Sequence, residues 1–225
     1  MEPREHGPLP PLLIVLTVVT GLVDSVSYLA LGQVFVANMT GNIIFLGFGL
    51  AGAGHIRATT SLLAIIAFAV GAAFGGRAAT RNPPHRGLLL AGVTGVQAVL
   101  VAAAATFANL AEVSDAWTRS SLIVLLGIAM GAQNAVVRRL AVPDLKTTVL
   151  TQTVTGLIAD DSETPERLRR LASVASMLVG ALIGGFLLRT VEPYAPLWTA
   201  AAALAACSVA AYFAVTRRPN ATTWS

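Results

Sequence analysis

Charged residues and cysteines are scarce in this sequence. Only 12% of its 225 residues carry a charge, whereas 55% are hydrophobic and the mean hydropathy is +0.72. A soluble domain is excluded, because so few charged side chains cannot cover its surface. The single cysteine, Cys207, excludes an internal disulfide framework. The composition therefore predicts an integral membrane protein, with the lipid bilayer as a partner.

Catalytic and metal-binding side chains are also missing. The three histidines lie in the tail and loops, and none has a second His, Cys or carboxylate at ligand spacing, so we expect no metal and no cofactor. No Ser/His/Asp or Cys/His set lies within an apolar segment, and we therefore expect no enzyme. The net charge of +4 comes from basic residues at the ends of apolar segments, where they orient a membrane protein, so nucleic acid is not an expected partner.

Six apolar segments are long enough to cross a membrane, because a helix needs about 20 residues to span about 30 Å of hydrocarbon. They cover residues 12–31, 59–80, 88–110, 120–137, 171–188 and 197–215. The connections between them are short. We predict an all-α integral membrane protein in which residues 1–225 form a single domain.

Two polar segments interrupt this pattern. The first polar segment, residues 34–50, reads VFVANMTGNIIFLGFGL, and the second polar segment, residues 147–159, reads TTVLTQTVTGLIA. Irregular polar backbone at membrane depth is tolerated only where protein or water surrounds it. An extended arm before the first Thr-Gly pair and a helical arm around the second would each cover about 16 Å, half of a bilayer. We predict two re-entrant half-helix elements.

A half-helix that starts at the midplane exposes unpaired N–H groups and the positive end of its dipole. The polar residues and glycines at the two starts either cap the helices or bind a small anionic or polar solute. The substrate-binding candidates are Asn38, Thr40, Gly41, Asn42, Gln152, Thr153, Thr155 and Gly156.

An internal repeat relates the two polar segments. The string VGAAFGG at residues 70–76 returns as VGALIGG at residues 179–185, 109 positions later, and the same displacement carries Asp24 onto Gln133 and Ser25 onto Asn134. The two Thr-Gly pairs are 115 positions apart, which an insertion of six residues before the second explains. Residues 11–110 and 119–216 are therefore predicted to be two repeats, a recurrent feature of transporters.

The basic residues predict how the repeats are oriented. If both polar segments crossed the membrane, the arginines of residues 77–86 and 138–139 would lie outside, against the positive-inside rule. If each segment enters and leaves on one side, 12 of the 15 basic residues lie inside, and only Arg57, Arg119 and Arg189 lie outside. Three spans per repeat is an odd number, so the second repeat is inverted and both termini are cytoplasmic.

Polar side chains within the predicted spans are further candidates. Asp24 is costly in a membrane helix and marks a proton relay or a hydrogen-bonded tie to the first polar segment. Gln133 and Asn134 are candidates for the polar lining of a path, or for interhelical hydrogen bonds, which we also expect of Gln97. The G-x-x-x-G faces, Gly71 with Gly75 and Gly180 with Gly184, predict helix packing within the chain or in a homodimer.

Three strings carry a family resemblance. VFVANMTGN, followed later by MGAQNAVVRRL and TTVLT, resembles the YoaK family of small bacterial membrane proteins, whose function is unknown. The resemblance covers almost the whole chain. It implies a bacterial inner-membrane protein with about six helices, and it supplies no substrate or catalytic residue.

Two functions remain compatible with these features. The first is a transporter or channel for a small polar or anionic solute, in which Asp24 suggests proton coupling. The alternative is a non-transporting membrane scaffold or regulatory protein. A transporter needs a polar path that reaches both faces of the membrane, whereas a scaffold can pack its polar segments without water.

Overall fold

The computed structural model describes residues 8–53, 56–81, 85–111, 115–140, 142, 150–159, 164–192 and 194–217. These residues form helices and contain no strand, so the predicted all-α class is confirmed for them. The helices are α1 (Leu9–Ala30), α2 (Met39–Leu50), α3 (Ala58–Arg81), α4 (Arg86–Leu110), α5 (Ala116–Leu140), α6 (Leu150–Ala159), α7 (Thr164–Thr190) and α8 (Ala195–Arg217).

Helix length divides these elements into two classes. Six of them, α1, α3, α4, α5, α7 and α8, are long and apolar enough to span a membrane. In contrast, α2 has 12 residues and α6 has 10. At 1.5 Å per residue these helices are about 18 Å and about 15 Å long, roughly half of the hydrocarbon thickness.

The start of α7 differs from the prediction. Residues 164–170 precede the predicted apolar segment 171–188, but they form the first turns of the helix. Pro165 and Glu166 explain the difference, because proline fits the first turn and an acidic side chain is favourable near the positive end of the helix dipole.

Glycines allow two helix pairs to approach closely. A side chain at Gly71 of α3 would collide with the backbone carbonyl of Ile128 on α5, and one at Gly180 of α7 would collide with that of Val18 on α1. The missing side chains therefore permit backbone contact between helices. The four predicted packing glycines, Gly71, Gly75, Gly180 and Gly184, all lie at these contacts within the chain.

The helix contacts have counterparts in the two halves of the chain. The contact of α1 with α7 corresponds to that of α5 with α3, and the contact of α1 with α8 corresponds to that of α5 with α4. Similarly, α2 packs on α3 and α6 packs on α7. The spans α1, α4 and α5 bury the largest share of their residues, so they form the centre of the bundle.

The end of α1 lies beside the starts of α3 and α5. Gly32, just after α1, lines a cavity together with Arg57, just before α3, and Arg119, in the first turns of α5. At the other end of α5, the carbonyl of Leu140 accepts a hydrogen bond from Arg86 at the start of α4. Therefore α5 runs antiparallel to both α1 and α4.

Candidate functional site

The chain folds back along α1 after that helix ends, and Asp24 holds the returning segment. One carboxylate oxygen, Oδ1, accepts the backbone N–H groups of Val36 and Ala37 at 3.0 Å each. The other oxygen, Oδ2, accepts a hydrogen bond from the Asn38 side-chain amide. Asp24 is buried, with 5% of its surface exposed. A carboxylate can only accept hydrogen bonds, and burying it without donors would cost much free energy. The three donors around Asp24 offset this cost.

Asn42 satisfies the backbone of Phe35 from the opposite side. Its Oδ1 accepts the Phe35 N–H at 2.9 Å, and its Nδ2 donates to the Phe35 carbonyl at 2.5 Å. Asn42 is fully buried in α2. An extended segment normally obtains these two hydrogen bonds from a neighbouring strand. Here one amide side chain takes the place of such a strand, which allows a non-helical backbone to lie within apolar surroundings.

An aromatic cluster fills the space next to these hydrogen bonds. The Phe35 ring stacks on Tyr28 of α1 at 5.1 Å and on Phe45 of α2 at 5.9 Å between ring centroids. A Cβ added to Gly41 would lie 2.8 Å from Cδ2 of Phe35. The space beside Gly41 is therefore occupied by this ring, and Gly41 lets the first turn of α2 pack against it.

Thr40 is placed differently from its neighbours. Its side chain is exposed at the start of α2, whereas Asn38 and Asn42 are engaged within the first polar segment. The N-cap residue of α2, Asn38, makes no side-chain hydrogen bond to the first turn of the helix. Asn38 therefore does not cap the N–H groups of the first turn of α2. Thr40 belongs to this turn.

The second polar segment is described from residue 150 onward, and its residues 147–149 lie outside the described part. On α6, Gln152 and Thr155 are exposed, whereas Thr153 and Gly156 are buried. The hydroxyl of Thr155 donates to the Thr151 carbonyl at 2.9 Å. The Gly156 carbonyl accepts a hydrogen bond from Arg170 of α7 at 2.6 Å, which fixes α6 against α7.

A second buried polar network joins the three central helices. Nε2 of Gln97 on α4 donates to Oε1 of Gln133 on α5 at 2.7 Å, and Nε2 of Gln133 donates to the hydroxyl of Thr20 on α1 at 3.2 Å. All three side chains are buried. Oε1 of Gln97 has no hydrogen-bond partner among the described residues, so this network retains an open acceptor. The expectation that Gln97 makes an interhelical hydrogen bond is confirmed.

Asn134 follows Gln133 on α5 and makes a hydrogen bond within that helix. Its Nδ2 donates to the Met130 carbonyl at 3.0 Å. Within the described residues, no three His, Cys, Asp or Glu side chains come together as a group that could hold a metal ion.

Comparison with known proteins identifies the family. Residues 12–210 match the family described as protein of unknown function (DUF1275). The chain belongs to the DUF1275 family. It is 34% identical over 155 residues to the UPF0700 transmembrane protein YoaK of Bacillus subtilis (strain 168). The resemblance to the YoaK family is thus confirmed, as is a multi-pass membrane protein.

The DUF1275 relationship identifies the family and gives no activity. The alignment with YoaK covers 67% of this chain and 66% of the length of the Bacillus subtilis protein. No solved structure matches this chain. The activity, substrate and partners of this DUF1275 protein therefore have to be argued from its own residues.

Several residues of the site were not predicted from the sequence. Tyr28, Phe35 and Thr20 are not among the candidates that the sequence indicates. Phe35 lies seven residues before Asn42, and the chain turns between them. Their closeness in the sequence is the feature that could have indicated the contact. Thr20 gives no comparable signal, because its partner Gln133 lies 113 residues away.

Proposed function

We propose that this protein is a transporter or channel that carries a small polar or anionic solute across the bacterial inner membrane, with both termini in the cytoplasm. The observation that supports the proposal best is the start of α2 beside the buried side chain of Asp24, part-way along α1. A helix that starts at this depth leaves its first N–H groups away from water, which costs free energy unless a polar group faces them. Transporters place interrupted helices of this kind at their substrate sites.

The course of the chain between α1 and α3 supports a re-entrant first polar segment. Asp24 lies six residues, about 9 Å, before the end of α1. Its bonds to Val36 and Ala37 bring the chain back by that distance before α2 begins. Because the end of α1 and the start of α3 line one cavity, the segment enters and leaves at the same end of the bundle.

Two closely matched glycine contacts support an inverted repeat. A Cβ at Gly21 of α1 would meet the carbonyl of Met177 on α7, and a Cβ at Gly131 of α5 would meet the carbonyl of Phe68 on α3. Met177 and Phe68 differ by 109 positions, and Gly131 and Gly21 differ by 110. The antiparallel direction of α1 and α5 is the relation that an inverted repeat requires.

The glycine register changes one residue correspondence. A displacement of 110 between α1 and α5 pairs Asp24 with Asn134, whereas the sequence repeat paired Asp24 with Gln133. The two proposed repeats therefore differ at this position, with a carboxylate at residue 24 and a neutral amide at residue 134. Gln133 then belongs to the central network with Gln97 and Thr20.

A small solute with acceptor atoms fits the start of α2, and one with a donor fits the central network. The first turn of α2 offers N–H groups and the positive end of a helix dipole, which favour an anion or a carbonyl oxygen. The free oxygen of Gln97 favours a hydroxyl, an amine or water. The Gln97 network lies between α1, α4 and α5, and the start of α2 lies beside α1 at Asp24. We propose that the path connects these two features.

Proton coupling belongs to this proposal because Asp24 is the one acidic side chain that is buried in the described part of the chain. The carboxylate accepts three hydrogen bonds from residues 36–38. Protonation would turn one acceptor of Asp24 into a donor that faces other donors. It would therefore weaken the hydrogen bonds from residues 36–38 to Asp24. A change in protonation would thereby move the start of α2.

A scaffold or regulatory protein is the second candidate function. The hydrogen bonds of Asp24, Asn38 and Asn42 are made within the first polar segment and α1, which a protein without a solute also needs. The packing glycines are used within the chain, so they give no support to the predicted homodimer. A scaffold would leave the membrane impermeable to small solutes.

Solute flux in proteoliposomes tests the proposal. Purified protein is reconstituted, and swelling is followed by light scattering with formate, acetate, phosphate, glycerol and urea, each with and without a pH gradient. Thr40→Phe should reduce the flux of the permeant solute, because it adds bulk at the start of α2. Ile44→Phe is the matched control, one turn later on the same exposed face.

The outcomes separate the two functions. Flux that exceeds that of protein-free liposomes and falls in Thr40→Phe alone supports transport past the start of α2. Folded protein with no flux of any of these solutes would favour the scaffold. Equal flux in wild type and both variants would place the path elsewhere in the bundle.

A further inference from the structure

The hydrogen bonds of the central network, Gln97, Gln133 and Thr20, run in one direction. Nε2 of Gln97 donates to Oε1 of Gln133, whose Nε2 donates to the Thr20 hydroxyl. That hydroxyl donates in turn to the Leu16 carbonyl at 2.8 Å. The chain of donors therefore begins at Gln97, and Oε1 of this residue has no hydrogen-bond partner among the described residues.

The neighbours of the two amides fix which end of Gln97 is free. Nε2 of Gln97 lies 3.2 Å from Sδ of Met130, a weak acceptor, as well as beside Gln133. If both amides were turned end for end, Oε1 of Gln97 would face a sulfur that has no hydrogen to donate. Oε1 of Gln133 would then need the Thr20 hydroxyl, which already donates to Leu16. The free atom is therefore the oxygen, and its partner has to be a donor.

Burial makes this free acceptor costly. Gln97 is 1% exposed, and Gln133 and Thr20 are fully buried. A buried acceptor without a donor costs free energy, and most such groups in native proteins have a partner. A ligand that donates one hydrogen bond to Oε1 of Gln97 would offset this cost.

The chemistry of the central network disfavours an ion. The oxygen end of the Gln97 amide is the negative end of its dipole, and the Asp24 carboxylate lies one helical turn after Thr20 on α1, so an anion is repelled. An ammonium has at least three donors, whereas Gln97 offers one free acceptor and Asp24 already accepts three hydrogen bonds. Burying an ion with unsatisfied donors would be costly. One free acceptor matches one neutral donor.

A hydroxyl group fits both ends of the proposed path. It has one hydrogen to donate and two lone pairs that accept. The hydrogen matches Oε1 of Gln97, and the lone pairs match the N–H groups at the start of α2, which Asn38 does not cap. A carboxylate fits only the start of α2, because it has no hydrogen for Gln97.

We infer that the central network binds the hydroxyl group of a small neutral solute, either water or a small alcohol or polyol, and that Gln97 selects this solute over ions. The inference rests on the proposed path and narrows its solute to one chemical class. Gln97 contacts the solute, whereas Gln133 and Thr20 hold the Gln97 amide in its orientation.

Solid-state NMR in lipid bilayers measures whether the site is occupied, and it does not require transport. The full chain carries isotopically labelled glutamine and is studied in water, with and without labelled glycerol. We expect a contact between the side-chain carbonyl of Gln97 and a hydroxyl proton, and this contact should be absent in Gln97→Met. Contact with water protons alone identifies water, and contact with glycerol carbons identifies a polyol. If Gln97→Met does not fold, proximity to the Met130 methyl group assigns the Gln97 signal.

Stopped-flow light scattering of proteoliposomes measures selection among water, glycerol, acetate and methylammonium. Gln97→Met and Gln133→Met are a matched pair, because both remove the bond between the two amides and only the first removes the free oxygen. Gln97→Met should lower the flux of the permeant hydroxyl solute relative to acetate about fivefold, the effect of one lost neutral hydrogen bond. Gln133→Met should keep most of this preference. Thr106→Val, at an exposed position of α4, should behave as wild type does.

Three results would overturn the inference. The first is the absence of a hydroxyl-proton contact at Gln97. The second is faster flux of acetate or methylammonium than of both water and glycerol. The third is an equal loss of preference in Gln97→Met and Gln133→Met, which would make Gln97 a structural residue. Flux without the contact would leave transport standing without this site, whereas the contact without flux of any solute would support the hydroxyl site and contradict transport.

Discussion

Asn42 holds Phe35 by two hydrogen bonds, one to its N–H and one to its carbonyl. This pair allows a non-helical segment to lie inside a helical membrane protein without a partner strand. Together with the bonds from Val36 and Ala37 to Asp24, it satisfies four backbone groups with two side chains. The first polar segment is therefore a folded unit whose polarity serves first to satisfy its own backbone.

Asn42→Leu tests this interpretation. The substitution keeps the volume but leaves the Phe35 N–H and carbonyl without partners. We expect a loss of about 2–6 kcal/mol in the free energy of unfolding, because two buried backbone groups lose their partners and each unpaired group costs roughly 1–3 kcal/mol. Thermal unfolding in detergent measures it. Thr40→Val, at an exposed position in the same helix, should change stability by less than about 0.5 kcal/mol. An unchanged Tm in Asn42→Leu would show that water reaches the segment.

Asp24→Asn separates a structural carboxylate from one that titrates. The new amide oxygen can still accept from Val36 and Ala37, and its NH₂ can donate to Asn38 once that amide is reversed. We expect Asp24→Asn to fold with a small loss of Tm and Asp24→Leu to lose far more. If Asp24 relays protons, flux driven by a pH gradient disappears in Asp24→Asn although the protein remains folded.

The exchange variant is the control for this prediction. Asp24→Asn combined with Asn38→Asp restores a hydrogen-bonded pair of one amide and one carboxylate, with the amide at position 24 and the carboxylate at position 38. Recovery of stability without recovery of coupled flux would assign the proton to position 24. Failure of Asp24→Asn to fold would instead contradict the hydrogen-bond pattern around that residue.

The sequence identified the features that depend on composition and length, and missed those that depend on side-chain direction. The membrane-spanning helices and the short α2 follow from apolar runs of given length. Asp24 was expected either to relay protons or to tie α1 to the first polar segment, because a buried carboxylate must have a partner. Phe35 as the partner of Asn42 was not predicted, since that contact forms only after the chain turns back. In the proposed repeat, the glycine contacts favour a displacement of 110 between α1 and α5 instead of 109. The matching string could not reveal this, because it lies on a different helix.

Gly71→Ala and Gly76→Ala form a matched pair on α3. A Cβ at Gly71 would collide with the carbonyl of Ile128, whereas a Cβ at Gly76 has nothing within 4 Å. We expect Gly71→Ala to destabilise the protein by about 1–3 kcal/mol, as overpacking does. Gly76→Ala should be neutral or slightly stabilising, because alanine favours a helix. Thermal unfolding compares the two, and size-exclusion chromatography should give the same oligomeric state for both. Equal stability of the two variants would contradict the close contact of α3 with α5.

The orientation of the spans is the last prediction, and exposed residues at three connections test it. In a Cys207→Ala background, single cysteines replace Ala53 after α2, Ala116 at the start of α5 and Thr80 at the end of α3. In the six-span arrangement, Ala53→Cys and Ala116→Cys react with an impermeant maleimide in intact cells. Thr80→Cys reacts only after the membrane is opened.

The physical reason for this pattern combines the charge distribution with the packing. Placing 12 of the 15 basic residues inside satisfies the positive-inside rule, and it leaves Arg57 and Arg119 outside. These two arginines line one cavity, so the residues near them must share a side of the membrane. Eight full spans would place Ala53 inside and Thr80 outside, which reverses both results. Labelling of Ala53→Cys without Ala116→Cys would contradict the antiparallel arrangement of α1 and α5, and with it the inverted repeat.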